Sequence, residues 1–282
     1  MDILVDAAID TLKLIPFLLV TYFIMELIEG VAEDKAEAMV RRAGFFGPVV
    51  GALVGAFPQC GFSAAAATLY AGRVITLGTL FAVFLATSDE MIPIFIAEQA
   101  DPNLLFKVLA CKVVIGMALG FLVDLVQRLR HKGAGHLHIH DLCEQEHCQC
   151  SDGPLKSAIK HTLQVSLFIF LITFVLGGAI ELAGEEAIAG FLAANPALSV
   201  CFAGLVGLIP NCAASVIICE LFLDGTLSTG AMMAGLLVGA GIGLLVLCRE
   251  NRRPKSNLFI IVLLWAMGVV AGFGFDLFGI VF

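Results

Sequence analysis

Pro58-Gln59-Cys60-Gly61-Phe62-Ser63 and Pro210-Asn211-Cys212-Ala213-Ala214-Ser215 stand 152 residues apart, and their likeness decides the fold. At that offset residues 53–125 run without a gap onto 205–277. The register pairs Gly55 with Gly207, Gly78 with Gly230, Pro102 with Pro254, Gly120 with Gly272, Phe121 with Phe273 and Asp124 with Asp276. Shared apolar composition does not bring Pro, Cys, Ser and Asp into one register. Each half is therefore a copy of one unit, interrupted at the same internal point. Paired interruptions in apolar segments are the best sequence pointer to the binding site of a transporter.

The 282 residues are 60% hydrophobic and 14% charged, with a mean hydropathy of +0.99. An ordinary soluble domain carries about 25% charged residues, so this composition excludes one. Apolar runs at 14–28, 74–88, 165–180 and 231–248 reach or approach the length that crosses a bilayer. Asp2, Asp6 and Asp10 precede the first run with no basic cluster, so it reads as a resident helix and not a cleaved signal peptide. The formal net charge of −8 is spread over loops and points to no nucleic-acid partner. Nine cysteines form no secreted disulfide pattern. Cys111, Cys201, Cys219 and Cys248 sit in apolar runs as small hydrophobes; Cys60 and Cys212, at the breaks, are different.

Each half reads as one long helix, one broken segment and two more long helices. The first half gives 9–29, 45–72, 75–99 and 103–128, and the second 157–182, 196–224, 227–249 and 256–281. Each arm of a broken segment holds about a dozen residues and spans ~18 Å, too little for a hydrocarbon core about 30 Å thick. The segment either crosses once as a broken helix or returns as a re-entrant hairpin. Lys and Arg favour the cytoplasmic side of short loops. Hairpins place the basic loops 35–42, Arg73, 128–160 and 249–255 on that side, with the N-terminus, 98–101, 181–186 and Asp224 opposite. Single crossings split the basic loops. The expected fold is thus an all-α polytopic membrane protein with two inverted-topology repeats, each of three spanning helices and one re-entrant hairpin. Counting each hairpin arm gives ten helical segments. The repeats are 1–129 and 157–282, joined by a cytoplasmic linker, 130–156, with both termini outside the cell membrane.

The hairpin tips should line a cavity, because irregular backbone at that depth is tolerated only against protein or water. Pro58 and Pro210 stop the incoming arms. Gln59, Cys60, Ser63, Asn211, Cys212 and Ser215 then supply amide, thiol and hydroxyl groups around a pseudo-two-fold axis. Thiolates suit soft metals and metalloids, whereas oxygen ligands suit hard cations. The plainer reading is two tight turns capped by serine, but the polar trio recurs at both breaks.

Thr87-Ser88-Asp89-Glu90 interrupts the third apolar run and Pro93 follows it. Ionisable residues inside a span are costly and mark ion sites or proton relays by default. Pro93 should also deprive the Asp89 carbonyl of its helical donor. The repeat partner, Gly239-Ala240-Gly241-Ile242, has no charge, so the carboxylates are not a scaffold requirement. A structural ion pair with Lys112 in the next helix is the competing reading, and a lysine counter-charge would also keep a carboxylate ionised. Asp124 and Asp276, near helix ends, read as structural, capping or pairing with neighbours such as Arg128 and the termini.

All six histidines lie in or beside the linker. His136, His138, His140, Cys143, His147, Cys148 and Cys150 form a tract of composition suited to a soft divalent metal. It lacks the paired Cys-x-x-Cys spacing of a folded zinc site, which favours a flexible collector or sensor.

These motifs resemble a family of bacterial membrane proteins named as ten-helix heavy-metal exporters, related to arsenic-efflux permeases, some of them labelled manganese transporters. The likeness rests on Pro58-Gln59-Cys60-Gly61-Phe62-Ser63, on Thr87-Ser88-Asp89-Glu90 with Pro93, on Ile209-Pro210-Asn211-Cys212-Ala213-Ala214-Ser215 and on the His-rich linker. It spans essentially the whole chain. Phe57 and Ala213-Ala214 depart from the expected Ile before the first motif and glycine after Asn-Cys. The resemblance implies export of a metal or metalloid ion. The leading expectation is a secondary active exporter holding its substrate at the two tips, with Thr87, Ser88, Asp89, Glu90 and Lys112 serving the cation or coupling proton. A hard divalent cation of the Mn2+ kind on carboxylates and amides is one alternative; a membrane metal sensor or pore is another. No Gly-x-x-x-x-Gly-Lys-[Ser/Thr] loop for ATP is present, and no histidine stands at membrane depth to serve an enzyme. No tightly bound cofactor is expected beyond the carried ion and a linker-bound divalent metal. The expected partners are the lipid bilayer and the substrate, and a homodimer is compatible with the pattern.

Overall fold

The computed structural model describes residues 8–9, 11–12, 14–16, 18–23, 46–88, 91–130, 154–183, 198–210, 212–251 and 253–280. Among them every regular element is a helix. In the first half these are α1 (Gly47–Gly55), α2 (Cys60–Ala71), α3 (Leu77–Ala86), α4 (Met91–Ala97) and α5 (Pro102–Arg130). After them come α6 (Pro154–Ala183), α7 (Ser199–Gly207), α8 (Cys212–Leu223), α9 (Thr229–Val238), α10 (Ile242–Glu250) and α11 (Pro254–Leu277). Helical residues also occur between 8 and 23. At the 152-residue offset α1 falls on α7, α2 on α8 and α3 on α9, and α11 starts where α5 starts. The repeat in sequence is a repeat of helix boundaries.

Local chemistry explains the shared boundaries. Pro58 and Pro210 separate the two short helices of each half, as expected from the sequence. Thr76 and Ser228 cap α3 and α9, each side-chain oxygen accepting from a backbone N–H at 3.1 Å. Pro102 and Pro254 open α5 and α11, where a missing N–H costs nothing.

One expectation needs correction. The third apolar run of each half was expected to be continuous, at 75–99 and 227–249. Instead α3 ends at Ala86 and α4 begins at Met91, while α9 ends at Val238 and α10 begins at Ile242. In the second copy Gly241 takes φ 52°, a left-handed conformation that glycine adopts without a Cβ clash. In the first, the Thr87 hydroxyl donates to Val83 O at 2.8 Å and that of Ser88 to Ala86 O at 2.9 Å. Such back-bonding offers the chain an alternative to continuing the helix. Pro93 accordingly sits in the first turn of a new helix, where no helical donor is lost.

Among the described residues four stretches are long and apolar enough to cross a membrane: Leu77–Ala97, Pro102–Leu129, Thr229–Glu250 and Pro254–Leu277. The two interrupted stretches are 69% and 78% buried within the protein, the two unbroken ones 33% each. The broken helices are therefore central, and α5 and α11 turn apolar side chains such as Val114, Leu122, Val262 and Val270 outward. Within each half α3 packs on α1 and α5, as α9 packs on α7 and α11. Gly78 and Gly120 let the backbones of α3 and α5 touch, and Gly230 and Gly272 do so for α9 and α11. Between halves α2 packs on α10, α8 on α4 and α3 on α9, so the copies interlock.

Asp124 and Asp276 tie these crossings. Asp124 accepts from Gly78 N at 2.8 Å and from the Thr76 hydroxyl at 2.7 Å; Asp276 does the same with Gly230 N at 2.8 Å and Ser228 at 2.9 Å. Asp124 is buried and Asp276 exposed. Asp124→Ala should thus cost about 3 kcal/mol and Asp276→Ala about 1 kcal/mol, because orphaned buried donors lose more than hydrated ones. Melting curves of the two variants in detergent check that order.

Candidate functional site

The two interruptions meet at Lys112. This residue lies ten positions into α5, ~15 Å along its axis at 1.5 Å per residue, and is only 1% exposed. Its ammonium donates to Thr87 O, just past the end of α3, and to Leu236 O, in the last turn of α9, the latter at 2.8 Å. Helix C-terminal carbonyls lack internal donors and form the negative pole of the helix dipole. A buried cation thus stands where two such poles from different halves converge. The repeat position is Leu264, wholly buried and apolar, so the charge was added to one copy alone.

The first Pro-X-Cys turn places Gln59 in extended backbone (φ −156°, ψ 111°) immediately before α2. Gln59 makes no side-chain cap to the helix. Its carbonyl accepts from Phe62 N at 3.1 Å, and the Ser63 hydroxyl donates to Cys60 O at 2.9 Å. Gln59 and Cys60 are half-buried, Ser63 is buried, and Phe57 and Pro58 are exposed. Ser63 lies against the start of α10: a Cβ built on Gly243 would stand 2.9 Å from Ser63 Cβ. In the second half Cys212 opens α8, and Ser215 Oγ lies 3.6 Å from a Cβ built on Gly239. The tips and the helix interruptions, two separate features in the sequence, are therefore neighbours in space.

Sequence reasoning did not find the second interruption or the part of Leu236 and Gly243. Gly239-Ala240-Gly241 inside an apolar run was the available signal. Nothing in a sequence marks a backbone carbonyl such as that of Leu236. Asn211, Asp89, Glu90 and the linker ligands His136, His138, His140, Cys143, His147, Cys148 and Cys150 lie outside the described residues. Among the described residues no three His, Cys, Asp or Glu side chains gather as a metal cage. The groups on offer near the junction are a thiol, amide and hydroxyl groups and free backbone poles.

One end of the bundle carries a second polar cluster. Tyr22 OH donates to Glu250 Oε1 at 3.0 Å across 228 residues of chain. The Arg249 guanidinium lies 5.0 Å above the Phe168 ring, and Tyr70, at the end of α2, lies beside Arg73, Arg253 and Ser256. At the same 152-residue offset stand Phe174, Ala97 and Glu98, all three exposed.

A family model matches this chain over residues 1–163 and again over 149–279. No curated protein and no solved structure matches it. Nearly the whole chain is covered by the two matches, so it belongs to the family of multi-pass membrane proteins described as "Putative, 10TM heavy-metal exporter".

Proposed function

We propose that the protein is a secondary active exporter of a heavy-metal or metalloid ion whose substrate sits between the two Pro-X-Cys tips. The observation that carries this reading is the junction of two discontinuous helices, one from each half, beside those tips. Interrupted helices near the bilayer midplane are where secondary transporters bind substrate and coupling ions. Gln59, Cys60, Ser63, Asn211, Cys212 and Ser215 would hold the substrate, the thiols giving preference to a soft ion. Asp89 and Glu90, with Thr87, Ser88 and Lys112, would carry the coupling charge. The linker would gather divalent metal on its histidines and cysteines.

The reading includes two inverted repeats, 1–129 and 157–282, that rock about the tips. Support comes from the neighbours of Tyr70. It ends the tip helix of the first half, yet it lies beside residues that start α11 in the second. The basic loops at Arg73 and at 249–255 thus share one end, as the positive-inside rule asks of a hairpin arrangement. On this reading the Tyr22–Glu250 contact would help to close that end.

A second reading, a hard divalent cation of the Mn2+ kind, draws on the oxygen-rich junction around Thr87 and Leu236. Cells with and without the protein separate the metals. Total content of arsenic, cadmium, zinc and manganese after each challenge should fall for one soft element when the protein is made. A fall confined to manganese would favour the second reading, and no fall in any would remove export.

A further inference from the structure

We infer that Lys112 is a resident cation, its ammonium holding the place between α3 and α9 that a coupling sodium ion would otherwise take. The inference rests on reading the paired interruptions as the transport junction. In a continuous helix Leu236 O would accept from the N–H of Ala240. Here that N–H turns to Val238 O at 2.7 Å, and Leu236 O receives the ammonium at 2.8 Å. Thr87 leaves the helical region at ψ 126°, so its carbonyl faces the same nitrogen from the other half. Carbonyl oxygens at the ends of half-helices are the groups that coordinate small hard cations in discontinuous-helix transporters. An ammonium is a compact point charge with three donors on a flexible stem, and it reaches such a position from outside the pair. It does so here from α5, the neighbour packed against α3.

The lysine is not part of the repeated scaffold, because Leu264 fills the equivalent place in the second copy. Its charge is therefore a feature of the junction. A tethered ammonium cannot dissociate, so the junction has no need of a monovalent cation from solution. Without it, two buried carbonyl poles face each other and form an empty cation site.

Melting of the purified full chain in detergent, in sodium chloride against choline chloride at equal ionic strength, tests this directly. The wild type should melt at the same temperature in both salts. Lys112→Ala should melt lower in choline and recover by ~4 °C in sodium, the gain expected for a bound ligand in excess. Lys112→Met, which fills the space with an uncharged chain, should be destabilised without a sodium response. Lys112→Ser leaves the same space open and should show the sodium gain if the alanine variant does not fold. Alanine and serine variants that melt alike in both salts, or a wild type that gains as much as they do, overturn the inference. Melting is read without transport, so its failure would leave the export reading standing, and failure of export would leave this one.

Discussion

Leucine at Gly120 is expected to prevent the first half from assembling. A Cβ there would stand 2.6 Å from Gly78 O, 3.0 Å from Ala82 Cβ and 3.1 Å from Pro48 Cβ. These atoms belong to α3 and α1, so the substituent is met from two helices at once. The Gly78 backbone cannot drift away easily, because its N–H is held by Asp124 from the same face. Overpacking by a methylene or two costs ~1–3 kcal/mol, and four added carbons against backbone should exceed ~4 kcal/mol, a large share of a typical total stability of ~5–15 kcal/mol. Gly272→Leu should fail in the same way, its Cβ meeting Gly230 O at 2.5 Å, Ala234 Cβ at 2.8 Å and Val200 Cγ1 at 2.9 Å. Gly274, two residues on, has nothing within 4 Å of a built Cβ, and Gly274→Leu should behave as wild type. Size-exclusion profiles and melting of the three variants decide the matter. A Gly120→Leu protein as stable as Gly274→Leu would mean that α3 and α5 do not cross at this point.

How far the sequence foretold these features depends on whether a side chain or a backbone atom does the work. Proline and glycine leave marks that can be read: the turns at Pro58 and Pro210 and the paired glycines at 78 and 120 could all be found by register alone. The structural role of Asp124 and Asp276 was also legible from their equivalent places in the repeat, although capping and pairing with Arg128 were both open until their donors were seen. The double interruption was not. Thr87-Ser88 and Gly239-Ala240-Gly241 are tolerated inside membrane helices, and only back-bonding in one copy and a left-handed glycine in the other end the helix there. An ion pair of Lys112 with Asp89 or Glu90 was the competing expectation, and both carboxylates lie outside the described residues. The described acceptors of Lys112 are carbonyls, one of them 124 residues distant. The contact between Tyr22 and Glu250 was equally hidden, because pairing of the first helix with the end of α10 follows from how the halves interlock and not from any local pattern.

The same interlocking gives the functional proposal its shape. Ser63 lies beside Gly243 and Ser215 beside Gly239, so a substrate held at the tips is within reach of the place where two helix poles face each other. On the proposed reading the tips would supply soft ligands and the junction would supply charge. Asp89 belongs to this division of labour through its place in the chain: its repeat partner is Gly241, which adopts φ 52°. On the same reading a carboxylate at the position where the other copy has glycine would serve through its charge.

Uptake of metal by everted membrane vesicles tests the central claim most directly, with arsenite, Cd2+, Zn2+ and Mn2+ offered separately to the wild type, Cys60→Ala/Cys212→Ala and Asp89→Asn. The account predicts that the wild type accumulates one soft ion. The double cysteine variant should lose at least ~10–100-fold of that uptake, since removing a ligand costs no less than disturbing its outer partners. Asp89→Asn should also abolish it while the protein remains folded. Undiminished uptake in the double cysteine variant would contradict a substrate held at the Pro-X-Cys tips.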